Sequence, residues 1–483
     1  MSDQKLLETE LSRILKGQSY YSEEQAAAIH QRYLERLKTF NQKIFVLDDD
    51  PTGVQTVHGV SVYTDWEEDS IASAFQEDGQ LVYILTNSRA FQSQETAHVH
   101  QLIAQRIAAA AKTAGKAYLV ISRSDSTLRG HYPLETDVLK KTLEAHEPDR
   151  FDGELIVPFF PEGGRYTINN IHYVKEGQQL VPAGETEFAR DLTFAYQASH
   201  LGEWCEEKTD GKFQASQMIY LSLDDIRNER DGKLANMLTQ AQSFNKIIVN
   251  AVEYTDLKIV AIALLQAMDQ GKHFLFRTAA ALPKILGGIP DQPLLTKSDL
   301  IPSAQTHGGL ILIGSHVKKT SRQLDELKTS GKPFKFIEFN QHRVMEDGGL
   351  EDEAENVRLT AEKAIESGST AVLFTRRERF ELPDADREAQ LRISVRISDA
   401  LASIVARLTV RPGFLITKGG ITSSDVGTKS LRVKRATVMG QIRPGIPVWM
   451  TGDESKYPQL PLVIFPGNVG EVETLKEIAE ELS

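Results

Sequence analysis

From residue 43 onward, short apolar runs each end in a polar or glycine-rich loop, with helical stretches between them. The runs in KIFVLDDDPTG, QLVYILTNSRAF, KAYLVISRSDSTLRG and GELIVPFFPEGGR have the length and β-branched content of buried strands. Between the second and third, ETAHVHQLIAQRIAAAAKT puts Val99, Leu102, Ile103 and Ile107 on one helical face. MIYLSL and KIIVNAV continue the strands, and LKIVAIALLQAM the helices. Alternating strands and helices call for parallel sheet with right-handed crossovers, so an α/β fold is expected.

At 483 residues the chain has room for about two to four domains of roughly 150 residues. GGIPDQPLLTKSDLIPSAQTHGG is rich in Pro, Gly and Ser and reads as an inter-domain linker near residues 286–309. After it the pattern restarts in GLILIGSHVKKTSRQLDEL, TAVLFTRR, GFLITKGGITSSDV and LPLVIFPGNVGEVETLKEIAEEL. Residues 1–40 read as a helical extension, with Leu6, Leu7, Leu11, Ile14 and Leu15 at helical spacing and Ser22 opening a second helix. The expected organisation is this extension, one domain over 41–290 and another over 300–483. Both are expected to be Rossmann-like, with mainly parallel sheets.

Charge and composition narrow the function classes. The formal net charge of −12 argues against nonspecific nucleic-acid binding, which needs basic surface to neutralise phosphates. The single cysteine, Cys205, excludes an internal disulfide framework and a multi-cysteine metal site. No run of about 18 apolar residues is present, so no membrane span is expected. The opening MSDQKLLETELSRILKG lacks the apolar stretch of a signal peptide, which makes the cytoplasm the expected location. Assembly into a homo-oligomer stays open, as does the identity of any metal ligand.

Ligands of open α/β sheets bind beyond the carboxyl ends of the strands. The loops there carry Asp48, Asp49 and Asp50, then Arg89, then Asp125 and Arg129, then Arg165. Crowded carboxylates need a cation, a ligand hydroxyl or helix amides to offset their repulsion. Arginine is the preferred bidentate partner of a carboxylate, so Arg89, Arg129 and Arg165 fit a clamp on an anionic substrate. The plainer alternatives are a capping turn at Asp50-Pro51 and surface ion pairs for the arginines. In the second half, Gly314-Ser315, Gly419-Gly420 and Gly467-Asn468 each follow a strand. Small residues there let a phosphate approach backbone amides, although each loop alone could be a tight turn. GITSSDVGTKS does not have Walker A spacing, and no G-x-G-x-x-G, H-E-x-x-H or G-x-S-x-G is present.

These residues together resemble the four-carbon acid sugar kinase family. The family's aspartate-aspartate-x-threonine-glycine loop is similar to Asp49-Asp50-Pro51-Thr52-Gly53. Its aspartate-serine-threonine-leucine-arginine-glycine signature stands as Asp125-Ser126-Thr127-Leu128-Arg129-Gly130, the most specific match. Its Pro-rich loop with a later arginine resembles Pro158-Phe159-Phe160-Pro161 and Arg165, and its second-strand arginine resembles Arg89. In the second half the family's glycine-serine loop is similar to Gly314-Ser315. Its glycine-glycine-x-threonine loop is similar to Gly419-Gly420-Ile421-Thr422, and its last glycine-rich loop to Pro466-Gly467-Asn468-Val469-Gly470. Many members carry an acidic residue where Ile421 stands and a lysine-serine pair where Phe465-Pro466 stands.

The resemblance implies an N-terminal acid-sugar domain and a C-terminal nucleotide domain, with transfer across the cleft between them. It implies phosphorylation by ATP, with Mg²⁺, of a hydroxyl on an acid of the threonate, erythronate or 3-oxo-tetronate type. Asp49 or Asp50 is the candidate base. Arg89, Asp125, Ser126, Thr127, Arg129 and Arg165 are expected on the acid. Ser315, Gly419, Gly420, Ile421, Thr422 and Gly467 are expected on ATP. Two other classes remain: a nonkinase sugar-acid enzyme, and an inactive sensor that binds the acid.

Overall fold

The computed structural model describes residues 3–145, 147, 150–380, 382, 387–467 and 469–483. The strands of the first half are β1 (Lys43–Asp48), β2 (Val60–Tyr63), β3 (Leu81–Leu85), β4 (Tyr118–Arg123), β5 (Gly153–Val157), β6 (Arg165–Ile168), β7 (Ile171–Glu176), β8 (Gln179–Pro182), β9 (Ile219–Leu221), β10 (Asn245–Val249) and β11 (Phe274–Thr278). Those of the second half are β12 (Leu310–Ile313), β13 (Lys335–Phe339), β14 (Ala371–Thr375), β15 (Leu415–Lys418), β16 (Arg435–Arg443), β17 (Ile446–Thr451) and β18 (Pro461–Phe465). The chain divides into two compact units, one of residues 1–53 and 65–291, the other of residues 54–64 and 292–483.

In the first unit the strands lie in the order β3-β1-β4-β11-β5-β10-β9, and neighbours run parallel. Burial on both faces explains why these strands read as continuous apolar runs rather than alternating ones. The helix Ser93–Ala114 follows β3; of the face read from the sequence it buries Val99, Ile103 and Ile107 and leaves Leu102 half-buried, and it ends at Gly115 in the left-handed conformation. β1 sits between β3 and β4, so chain order reverses around it; such a switch point opens a crevice at the carboxyl ends. An antiparallel ribbon, β6-β7-β8, supplies Arg165 from its first residue.

The N-terminal segment forms the helices Asp3–Lys16 and Glu23–Leu37. Ser22 caps the second in a reciprocal box with Gln25. Both dock on the first unit. Glu10, buried, receives Arg227 at 2.7 Å, and the Tyr33 hydroxyl donates to the Ile285 carbonyl at 2.6 Å.

The second unit orders its strands β13-β14-β12-β15-β18-β17-β16-β2, parallel as far as β18 and antiparallel beyond. β2 comes from the first quarter of the chain. It pairs antiparallel with β16, Val62 opposite Ala436 and Val60 opposite Val438. The Pro-rich stretch read as a linker is packed for part of its length. Leu295, Leu300 and Ile301 are buried in this unit's core, and the Leu295 amide donates to the Gln441 carbonyl at 2.8 Å. Among the described residues no helix is long and apolar enough to cross a membrane.

Candidate functional site

The carboxyl ends of β1, β3 and β4 bring the acidic and basic loops of the first unit together. Asp48 ends β1 and is buried; its carbonyl accepts the amide and the hydroxyl of Thr86, each at 2.9 Å. Its carboxylate takes Nη1 of Arg123 at 3.0 Å. The turn Pro51–Gly53 folds directly over it, and a Cβ at Gly53 would overlap the carboxylate. Burial raises the Asp48 pKa to about 7; Arg123 opposes the rise, and Asp49 and Asp50 add to it.

Asp49 and Asp50 have separate surroundings. Arg89 grips Asp49 through Nη2–Oδ1 at 2.7 Å and Nε–Oδ2 at 3.2 Å, and the Ser124 hydroxyl donates to Oδ2 at 2.7 Å. Burial disfavours the Asp49 carboxylate, but Arg89 and Arg123 outweigh it and hold the group below the usual range. The Asp49 side chain is 2% exposed, whereas that of Asp50 is 17% exposed. Asp50 accepts the Thr52 amide at 2.9 Å and lies 3.7 Å from Arg89.

The Asp125–Gly130 loop after β4 turns sharply at Leu128. Its φ of 67° is unusual for a bulky residue, and its side chain is buried in a cluster with Tyr132 and Trp204. The turn lets Arg129 Nε donate back to Asp125 at 2.7 Å. The Thr127 hydroxyl also donates to Asp125, and Arg89 approaches it to 3.8 Å. Burial disfavours the Asp125 carboxylate, but Arg129 and Arg89 hold it well below the ordinary range. Ser126 is tied through its carbonyl, which accepts Nε2 of the buried His172 at 2.8 Å. Burial lowers His172 to about 4, which keeps it neutral.

Arg129 and Arg165 share one aromatic platform, their guanidinium carbons 5.0 and 5.8 Å from the Phe188 ring centroid. Arg129 is balanced by Asp125 and, at 3.6 Å, by Asp191. Arg165 has no ion pair among the described residues, and its buried Nε has no hydrogen-bond partner there. Burial lowers its pKa from the usual guanidinium value; the Asp125 carboxylate opposes the fall and Arg129 adds to it.

Sequence reasoning missed Arg123, Ser124 and Arg277. Arg277, on β11, is buried; its Nη2 donates to the carbonyls of Arg129 at 3.0 Å and Asp125 at 3.4 Å, fixing the signature loop from below. An arginine within the apolar run FLFRT was the available signal.

In the second unit, β14, β12, β15 and β18 are neighbours, and the loops at their carboxyl ends meet. Thr320 Oγ1 lies 3.3 Å from Ser315 Oγ and 3.4 Å from the Gly467 carbonyl. The Gly419 amide donates to the Phe465 carbonyl at 2.9 Å. A Cβ on Gly314 would strike the Thr422 hydroxyl, and one on Gly419 would come within 3.3 Å of Ser315 Cβ. Gly419 also has a φ of 123°, which L side chains avoid. Gly420 opens the short helix Gly420–Asp425. Ile421 is in that helix, but its side chain lies outside the described residues, as does Asn468.

The basic side chains of Arg377 and Lys418 flank these loops. Arg377, after β14, donates from Nη2 to the Ser315 carbonyl at 2.7 Å and to the Ser321 hydroxyl at 2.9 Å. Lys418, the last residue of β15, is fully buried and donates to the Pro466 carbonyl at 2.6 Å. Neither has a carboxylate in ion-pair distance among the described residues. Small-residue loops beside basic side chains without an ion-pair partner among the described residues fit a polyphosphate. Among the described residues no group of three or more His, Cys, Asp or Glu could hold a metal ion.

Residues 44–286 match the family model described as a sugar-binding N-terminal domain, and residues 310–475 the one described as a nucleotide-binding C-terminal domain. No curated protein matches the chain. A Salmonella typhimurium LT2 structure described as a tRNA synthase shares 19% identity over 91% of this chain and 98% of its own, with a TM-score of 0.65. Haemophilus influenzae protein HI1011, of family DUF1537, shares 18% identity over 90% of this chain and 99% of its own, with a TM-score of 0.56. At such identities these likenesses establish the fold alone. The two domain matches cover most of the chain in the order in which its two halves are built, and the chain belongs to the family with the four-carbon acid sugar kinase architecture.

Proposed function

We propose that the protein is an ATP-dependent kinase that phosphorylates a hydroxyl of a four-carbon sugar acid. The observation that carries the acid assignment is Arg165, a half-buried guanidinium with a buried, unpartnered Nε and no ion pair among the described residues, beside Arg129 and Phe188. Arg89, Arg123 and Arg129 already face carboxylates of the protein. A substrate carboxylate on Arg165, with Arg129 alongside, supplies the missing charge through strong charge-assisted bonds. The family's sugar-binding and nucleotide-binding domains support the same pairing of ligands.

Phosphoryl transfer depends on positioning and charge neutralisation more than on covalent chemistry. Asp50, the more open of the two carboxylates, is assigned the proton of the attacking hydroxyl. Asp49, gripped by Arg89 and Ser124, is assigned to a substrate hydroxyl as acceptor. Asp125 and Ser126 complete the acid's hydroxyl contacts, while Thr127 and Arg277 keep the loop in shape. Ser315, Gly419, Gly420, Thr422 and Gly467, with the Ile421 backbone, are assigned to the nucleotide. Mg²⁺, when bound, would neutralise the phosphates, whose oxygens and water are its preferred ligands.

The test is ATP consumption by the full chain with threonate, erythronate and 3-oxo-tetronate stereoisomers. Acid-dependent ADP release with a phosphorylated acid as product is expected. Thermal stabilisation by an acid and by ATP–Mg²⁺ without turnover on any of the panel would overturn the kinase reading.

A further inference from the structure

Lys418 is a lysine in a place that ordinarily excludes one. It is 0% exposed, on the final residue of β15 opposite Phe465 of β18. Its Nζ stands 3.7 Å from the Phe465 ring centroid and spends one donor on the Pro466 carbonyl. An ammonium has three donors, and a buried charge normally finds a carboxylate. No carboxylate reaches Lys418 among the described residues. Among the described residues the charged group acting on it is Lys319, on the helix Lys318–Leu327, which repels a second positive charge. Burial first, and Lys319 second, lower its pKa to about 6, so in the ligand-free protein the amine is mostly neutral above that pH.

The lysine stands where the three loops meet. Gly419 follows it in the chain, Pro466-Gly467 lies against its Nζ, and the Gly467 Cβ direction leads to Ser315 Oγ at 3.4 Å. The helix Lys318–Leu327 begins beside them with no side-chain cap.

We propose that Lys418 is the buried counter-charge of the nucleotide's phosphate chain, taking one proton from solvent to become an ammonium as the phosphates bind. The proposal rests on the nucleotide assignment above and names a phosphate-binding residue outside the glycine loops. A phosphate brought near the amine stabilises its protonated form and raises its pKa, so binding and proton uptake are linked. The Phe465 ring face and the Pro466 carbonyl hold the ammonium in position, and Arg377 stands on the opposite side of the Ser315 loop.

The test is calorimetric titration of the full chain with ADP, ATP–Mg²⁺ and adenosine at pH 8, in Hepes and in Tris. Their different ionisation heats report protons taken up. For ADP and ATP the wild type is expected to take up a substantial fraction of one proton per nucleotide. Adenosine, without phosphates, is expected to give none. Lys418→Met is expected to bind ADP at least tenfold more weakly without uptake, and Lys418→Arg to bind it without uptake because the charge is already present. Wild-type affinity and uptake in Lys418→Met would overturn the proposal while leaving the nucleotide site standing. Should the variants fail to fold, the wild type decides alone: ADP affinity that does not fall from pH 6 to 9, once ADP's own titration is subtracted, also overturns it. A wild type that binds no nucleotide at all removes the kinase reading itself.

Discussion

Arg89 holds Asp49 by two parallel bonds, 2.7 and 3.2 Å long, while Asp50, the next residue, lies 3.7 Å from the same guanidinium. One arginine therefore separates two adjacent carboxylates into a fixed one and a freer one. Asp50→Asn is expected to lower kcat by about 10²–10⁴ with the acid still bound, because Asn keeps the shape but cannot take a proton. Asp49→Asn is expected mainly to raise KM. Steady-state kinetics with acid binding by calorimetry checks both. Near wild-type kcat in both variants would move the base to Asp125.

Arg165 and Arg129 share the Phe188 ring but differ in their partners. Arg165→Met is expected to raise KM for the acid on the order of ten- to a hundred-fold, the loss of one charge-assisted bond, with ATP affinity and thermal midpoint almost unchanged. Arg129→Ala is expected to abolish use of the acid and also to lower the midpoint, because Asp125 loses its nearest cation. A loss of ATP affinity alone in either variant would refute the acid-pocket assignment.

The pH dependence of stability separates Asp48 from Asp125. The folded-state pKa of Asp48 is raised to about 7. Its contribution is therefore fully present below the ordinary carboxylate pKa and is lost as pH rises towards 7. Asp125 is lowered, so its contribution is present above the ordinary value and is lost as pH falls. Asp48→Asn should accordingly gain stability relative to wild type as pH rises from 5 to 8, with a slope of at most about 1.4 kcal/mol per pH step of one, levelling off above pH 7. Thermal midpoints of both proteins at the two pH values give the measurement. A difference that stays constant would show that Asp48 is ionised throughout, held so by Arg123.

Gly314 and Gly419 have no space for a side chain. Gly419→Ala meets both a φ of 123° and the Ser315 side chain, and Gly314→Ala meets Thr422. Both are expected to weaken ADP binding at least tenfold while leaving acid binding intact, since the acid residues belong to the other unit. Equal losses for both ligands would point to general unfolding instead.

What the sequence by itself determined was local. Apolar runs of strand length, the helical face of Val99, Ile103 and Ile107, the Ser22 cap and the loops at strand ends all depend on residues near one another in the chain. The Asp48–Asp50 cluster, the Asp125–Gly130 signature and the three glycine loops were legible for that reason. The tertiary structure alone decided which charges are spent and which remain. Arg89 is committed to Asp49 and Arg129 to Asp125, whereas Arg165 and Lys418 are left without a carboxylate among the described residues. It also decided that Val54–Thr64, next to the aspartate cluster in sequence, supplies a strand to the second unit, beside β16. Strand pairing such as β2 with β16, and ion pairs such as Arg89–Asp49, join residues tens to hundreds of positions apart. Periodicity records which face a residue turns to the core, but not which distant partner it meets there.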